Sequence, residues 1–379
     1  MHILAINPGS TSTKIGIFSA PNIGSKVAGR VVEAMPKASG LETTDAQLTL
    51  VAKETITHTL DDLAKFPTLN DQLDYRANLI KQAVANAGLK MDDIDVFVGR
   101  GGLIRPLESG VYKVDEKLLH DLQIGVQGQH ASNLAGQIAH ALAAPAGKHA
   151  LIADPEVIDE LAPVARLSGH PLLPRRSMFH ALNQKAIARR FAAELGKRYD
   201  DVNVVVAHLG GGVSVGAHQR GRVIDVNDAL DGDGPFSPER TGNVPSGQLV
   251  ELCFSGKHTE AEIKKMLVGQ GGYAAYLGTN DAKQVAADAK TDANKALVQD
   301  AMAYQVAKYI ASMAAALEGQ VDGVLITGGI AYDKDIVEAI RKRVSFIAPM
   351  HVYPGEDELL ALAEAAYRAE TGIESIKTY

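Results

Sequence analysis

Between two runs of β-forming residues, Ile3 to Ile6 and Ile15 to Phe18, the chain places Asn7-Pro-Gly-Ser-Thr-Ser-Thr-Lys14. One amide, four hydroxyls and one cation therefore share a single short turn. Gly9 lets the backbone of that turn come close to a bound group. Asn7, Ser10, Ser12 and Lys14 offer donors to an anion, and phosphate suits such a donor set. The order Gly-x-x-x-x-Gly-Lys-Ser/Thr is absent, so this is not a Walker A loop. A Ser/Thr-rich surface hairpin is the other reading of the same residues.

Glycines recur at strand ends, where backbone can meet a ligand: Gly99-Arg-Gly-Gly102, His208-Leu-Gly-Gly-Gly212 and Thr327-Gly-Gly-Ile330. Composition narrows what these turns serve. With 379 residues the chain can build two domains. Hydrophobic residues make up 46% and charged ones 22%, as in ordinary globular proteins. The net charge of -7 argues against a nucleic-acid binder, so any anion site must be a local gathering of Lys and Arg. A single cysteine, Cys253, excludes an internal disulfide and a cysteine zinc cluster; its apolar neighbours place it in a buried helix. Asn7 interrupts the first apolar run and no basic segment precedes it, so no secretory signal is expected. No apolar stretch reaches the length of a membrane span, and a cytoplasmic protein is expected.

The elements that position these residues follow from periodicity. The opening reads as a hairpin, with a third strand from Val27 to Met35 and helices over 45–66 and 71–88. A strand over 94–98 enters the first double glycine; helices over 115–125 and 130–143 and a strand over 149–153 follow. Asp154-Pro155 carries the signals of a helix start. After a helix over 179–195, the pattern restarts: Val202 to Gly216 is again strand, glycine turn, strand, followed by Val223 to Val226. Gly323 to Ile330 then echoes Asp95 to Gly102 as an apolar strand ending in paired glycines. Two motifs recurring in the same order predict a duplicated α/β domain, with chance likeness between glycine turns as the alternative. Long helices are expected over 292–318 and 333–343, and the stripe Leu359, Leu360, Ala363, Ala366, Tyr367 predicts a last helix packed back on an earlier domain.

Asn7 to Lys14, Phe179-His180, His208 to Gly212, Glu239-Arg-Thr-Gly242, Thr327 to Ile330 and Glu356-Asp-Glu-Leu359 occur in that order. As an ordered set over nearly the whole chain, they resemble the acetate/butyrate kinase family of carboxylate kinases. Through that family the chain is similar to the actin, hexokinase and sugar-kinase superfamily. The resemblance implies an α/β fold of two duplicated ribonuclease-H-like domains around a nucleotide cleft. It places a first domain at 1–153, joined by a C-terminal helix at 357–379, and a nucleotide-binding domain at 154–356. The reaction implied is transfer of the γ-phosphoryl of ATP, with Mg2+, to a short-chain fatty carboxylate: butyrate first, with acetate, propionate or a branched acid as alternatives. A non-catalytic nucleotide switch, as in actin or chaperones, is the reading from a different class. A homodimer or larger homo-oligomer is implied as well, with no nucleic-acid or membrane partner.

Carboxylate phosphorylation needs no general base, because the acceptor is already ionised at neutral pH. The task is to bring two anions together and neutralise the group in transit. The resemblance then assigns roles. Arg240 stabilises the phosphoryl group or the carboxylate; His180 contacts the phosphoryl; Asp154 lies close to Mg2+; His208 with Gly210, Gly211 and Gly212 forms a second phosphate loop. Gly328, Gly329 and Ile330 form the adenosine loop, and Asp281 lies near the ribose. Glu356, or Glu358, is the metal-linked acid. The family's second arginine is displaced here: Phe97 stands near its place, so Arg100, or Arg105, is expected to supply that charge. A prolyl segment that lines the family's acyl site is represented by Gln127-Gly-Gln-His-Ala-Ser-Asn133. His130 falls in it, and small residues at Gly128 and Ala131 leave room for a longer acyl chain.

Overall fold

The run Val202 to Leu209 is apolar at nearly every position, the pattern of a strand covered on both faces. A computed structural model describes residues 1–21 and 48–379, with the backbone of Lys26–Val27 and Arg30–Val31. In it the run forms the strand Asn203–Leu209, central in a five-stranded sheet. Alternate side chains go to opposite layers. Val205, Ala207 and Leu209 pack with Met302, Val306 and Ile310 of the long helix Ala293–Ala316. Val204 and Val206 pack with Ala188, Phe191 and Ala192 of the helix Ala181–Glu194.

The sheet runs Arg222–Val226, Val213–Gln219, Asn203–Leu209, Gly323–Gly328, Met350–Pro354. Its first two pairings are antiparallel and its last two parallel. A second sheet has seven strands. Five of them run Thr49–Thr57, Ser12–Ser19, His2–Pro8, Val96–Arg100, Ala150–Ala153, again two antiparallel pairings followed by two parallel ones. Val111–Lys113 and Ile376–Lys377 extend it beyond Ala150–Ala153. The expected duplication is thus present as repeated strand order, although little sequence repeats. This is the ribonuclease-H-like order, found twice.

The chain divides into two compact units, Met1–Ile158 with Asp357–Tyr379, and Asp159–Glu356. The last helix, Glu358–Glu370, buries Leu359, Leu362, Ala363 and Ala366. It lies on the first sheet, Leu359 resting against Gly16. Among the described residues no helix is long and apolar enough to cross a membrane.

Three expectations need correction. Residues 49–57 form a strand, not part of a helix; Leu60–Leu63 is a single helical turn capped by Thr59. That strand is a largely exposed edge, so no buried stripe marks its period, and its backbone pairing with Ser12–Ser19 decides its conformation. Asp154-Pro155 starts no helix: Asp154 has a φ of 38° and leads into a turn. Its carboxylate receives the Gly110 N–H rather than a helix amide. Cys253 ends the helix Ser246–Cys253 as expected but is exposed, because none of that helix is buried. Most of the strand expected from Val27 to Met35 lies outside the described residues; Lys26–Val27 and Arg30–Val31 pair antiparallel within that region.

Candidate active site

In the second unit, the antiparallel strands ending at Leu209 and starting at Val213 leave Gly210, Gly211 and Gly212 as a tight connection, closed by the Gly210 N–H to Gly212 carbonyl bond at 3.0 Å. The glycines are there because polar side chains occupy the space around them. A Cβ on Gly212 would lie 2.2 Å from Arg240 Nη1; one on Gly211 would lie 3.3 Å from Glu239 Oε1, and one on Gly210 3.1 Å from His208 Nε2. The turn is therefore flanked by a guanidinium and an imidazole.

Arg240 is fixed from behind. Nη1 donates to the Ala229 carbonyl at 2.5 Å, and its backbone N–H donates to Ser237 Oγ at 3.1 Å. Ser237 Oγ in turn donates to the Gly211 carbonyl, tying the arginine loop to the glycine turn. Nε of Arg240 is buried without a hydrogen-bond partner. Burial pulls its pKa down from the usual value, with Glu239 and Asp228 opposing. A buried cationic donor left unpaired is costly, and an anion is the group that satisfies it.

His208 is buried, and its Nδ1 donates to Asn183 Oδ1 at 2.8 Å. Its Nε2 has no hydrogen-bond partner and lies 3.6 Å from Glu356 Oε1. His180, at the start of the helix Ala181–Glu194, stacks on His208 with ring centroids 3.7 Å apart and planes within 5°. The two imidazoles and Glu356 thus gather at the end of the strand that carries the glycine turn.

The nucleoside candidates divide. Gly328 has a φ of 90°, and a Cβ there would lie 2.3 Å from the Leu209 carbonyl, so only glycine fits. Gly329 has open space where a side chain would be, and Ile330 is buried. Asp281 is exposed and caps the helix Ala282–Asp288 by accepting the Gln284 N–H at 3.0 Å.

In the first unit, the turn after His2–Pro8 is organised by a residue that no motif marks. Arg76, buried in the helix Leu73–Asn86, sends Nη1 to the Gly9 and Ser12 carbonyls at 2.9 and 3.2 Å and to Thr13 Oγ1 at 3.0 Å. Its Nη2 reaches the Ser10 carbonyl at 3.2 Å. With four turn acceptors drawn inward, the hydroxyls of Ser10 and Ser12 and the exposed Lys14 remain for a ligand. Asn7 pairs with Lys14 across the hairpin and donates from Nδ2 to Glu358 Oε2.

Glu358 also binds Arg100, Oε1 to Nη1 at 2.9 Å, and Arg100 Nη2 meets Glu156 Oε1 at 2.9 Å. Arg100 is therefore held between two carboxylates beside the Asn7 turn. Arg105 is elsewhere, paired with Asp121 at 2.7 Å. Asp154 is buried, and its Oδ1 accepts from Ser109 Oγ at 2.6 Å and from the Gly110 N–H at 2.9 Å. His130 is exposed, its Nδ1 2.8 Å from Ser132 Oγ. Ala131 beside it is buried, and Asn133 holds this segment to the first double glycine by accepting the Leu103 N–H at 2.8 Å.

Arg100, Asn7 and Glu358 thus come together in the first unit, and Arg240, His180, His208, the glycine turn and Glu356 in the second. Sequence reasoning missed Arg76, Glu156, Asn183 and Ser214, whose Oγ lies 2.9 Å from His180 Nδ1. Each works through a contact far along the chain and looks locally like any surface or core residue. Among the described residues no group of three or more His, Cys, Asp or Glu side chains is placed to hold a metal ion.

The sequence profile of the acetokinase family matches residues 161–354. Butyrate kinase 2 and butyrate kinase 1 of Clostridium acetobutylicum are 49% and 48% identical to this chain over 378 residues, covering 100% of it and 99% of each relative. The crystal structure of Porphyromonas gingivalis acetate kinase superimposes with a TM-score of 0.71 at 19% identity, covering 97% of this chain and 98% of that one.

Proposed function

Since the chain belongs to the acetokinase family, we propose that it is an ATP-dependent carboxylate kinase whose acceptor is butyrate. In the reaction a butyrate oxygen attacks the γ-phosphorus of ATP. The bond from that phosphorus to the β–γ bridging oxygen breaks, and ADP leaves with the oxygen. Butyryl phosphate forms, and no proton needs to move.

One observation carries the chemistry on this side of the reading: the Arg240 guanidinium lies in the space a side chain at Gly212 would fill, its Nε buried and unpartnered. A fixed cation beside a glycine turn supports a site for a phosphoryl group gaining charge. In this reading Arg240 and His180 contact the group in transit, and His208 with Gly210 to Gly212 holds the nucleotide phosphates. Gly328 to Ile330 line the nucleoside. Asp281 is assigned by family likeness to the ribose, in addition to its helix cap. Asn7, Ser10, Ser12 and Lys14 form an anion-binding turn braced by Arg76. Arg100, oriented by Glu156 and Glu358, and His130 serve the carboxylate side.

Magnesium enters as part of the substrate, MgATP. The ion commonly takes one or two carboxylates and completes its shell with phosphate oxygens and water. By family likeness Asp154 and Glu356 are the acids assigned to the ion: within its own unit, Asp154 has a carboxylate oriented by Ser109 and Gly110, and within the other, Glu356 lies beside His208. When bound, the ion would neutralise phosphate charge. Glu358, engaged by Asn7 and Arg100, reads as a structural acid.

The test is direct. Purified protein with MgATP, butyrate and hydroxylamine should accumulate butyryl hydroxamate in step with ADP. ADP release with no acyl hydroxamate from any short-chain acid would reject the reading.

A further inference from the structure

Behind His180 runs a buried chain of side chains to which the reaction above gives no task. His180 Nδ1 lies 2.9 Å from Ser214 Oγ. Gln184 Nε2 lies 2.8 Å from Ser214 Oγ and 3.1 Å from the Ser214 carbonyl. Gln184 Oε1 lies 2.9 Å from His218 Nε2, and His218 Nδ1 lies 2.7 Å from Tyr199 Oη. Gln184, Ser214 and His218 are fully buried.

The direction of every bond follows from one fixed acceptor. A backbone carbonyl only accepts, so the Gln184 amide must turn its nitrogen to Ser214 and its oxygen to His218. His218 therefore carries its proton on Nε2. Its Nδ1 is bare and accepts the Tyr199 hydroxyl. Burial, with Lys185 and Arg189 nearby, keeps His218 neutral, in agreement with this assignment. On the other side, Ser214 Oγ has three partners. Two of them, Gln184 Nε2 and the His180 backbone N–H at 3.5 Å, are donors. The hydroxyl hydrogen then has one acceptor, His180 Nδ1.

We propose that Gln184 and Ser214 are positioning residues that hold His180 as a neutral imidazole protonated on Nε2, a standing donor to the phosphoryl group in transit. A second proton on Nδ1 would face the hydroxyl hydrogen of the buried Ser214, which has no other acceptor among its partners. The inference rests on the reading of His180 as a phosphoryl contact, and its test separates the two.

The first measurement is the ring 15N spectrum of His180 in the wild-type protein at pH 7 without substrates, assigned by its loss in His180→Gln. The Nε2–H neutral tautomer is expected; an Nδ1–H tautomer or an imidazolium overturns the relay whatever the activity. The second uses Gln184→Glu, near-isosteric but with no N–H to give. The Ser214 hydroxyl should turn to the new carboxylate, the His180 proton should move to Nδ1, and turnover should fall about tenfold or more with little change in KM for ATP. Tyr199→Phe, which leaves the fixed polarity intact, should keep the wild-type tautomer. A switched tautomer with unchanged turnover in Gln184→Glu overturns the phosphoryl contact and the positioning role with it. If that variant does not fold, the wild-type tautomer decides.

Discussion

Arg240 shows how far a single residue can be read. Pro-Glu-Arg-Thr-Gly is an unremarkable loop, and a surface salt bridge would be the default for its arginine. What singles it out is the ordered set of motifs around it, and the structure supplies the physical content: a buried Nε with no partner and a guanidinium standing over a glycine. Arg240→Ala should lower turnover by about a hundredfold or more, the usual effect of removing one preorganised donor to a developing anion. ATP affinity, measured by titration calorimetry, should change far less. A variant keeping more than half of wild-type turnover would take Arg240 out of the chemistry. Arg76 was not legible in the same way. Nothing in Asp-Tyr-Arg-Ala tells that its side chain braces a turn more than sixty residues away, because burial of a cation is decided by the tertiary acceptors it meets.

At the scale of elements, the glycine turn after Leu209 is a spacer for charge. Gly212 does not have the left-handed backbone that favours glycine. Its role is therefore the room it leaves for Arg240. Gly212→Ala should keep the fold, with a nearly unchanged melting temperature, yet lower turnover about tenfold or more by displacing the guanidinium. A loss of stability with normal turnover per folded molecule would contradict this. The edge of the first sheet makes a pH prediction. Thr13 Oγ1 accepts from Arg76, so its hydroxyl hydrogen goes to His58 Nε2, 2.8 Å away. Burial, then the Arg76 charge, pushes the His58 pKa down to about 4, against about 6.5 in an unfolded chain. A histidine depressed in this way adds stability that is complete above about pH 6.5 and is lost as pH falls toward about 4. Denaturant midpoints should drop over that window in the wild type and drop less in His58→Gln; parallel curves would contradict the assignment. Buried elements such as Asn203–Leu209 could be read from the sequence because both faces are apolar. The strand Thr49–Thr57 could not, because an exposed edge needs no hydrophobic pattern and takes its shape from its neighbour's backbone. The turn at Asp154 departs from its local sequence signal for a related reason: an aspartate before proline suits a helix cap, but here Ser109 and Gly110 claim its carboxylate.

At the scale of the whole molecule, the repeated strand order was legible from two glycine-ended strands recurring in sequence, since Val96–Arg100 and Gly323–Gly328 hold the same place in the two sheets. Acyl preference is the property least visible in the fold, because one fold serves acetate, propionate and butyrate kinases, whereas two extra methylenes need only a little more apolar room. Each buried methylene contributes about 0.8 kcal/mol, roughly fourfold in specificity, so two favour butyrate over acetate by on the order of tenfold. The measurement that tests the account most directly is kcat/KM for acetate, propionate, butyrate, isobutyrate and valerate, from coupled ADP release at saturating MgATP. We predict a maximum at butyrate or isobutyrate, about tenfold above acetate. A value for acetate equal to or above that for butyrate would contradict the account.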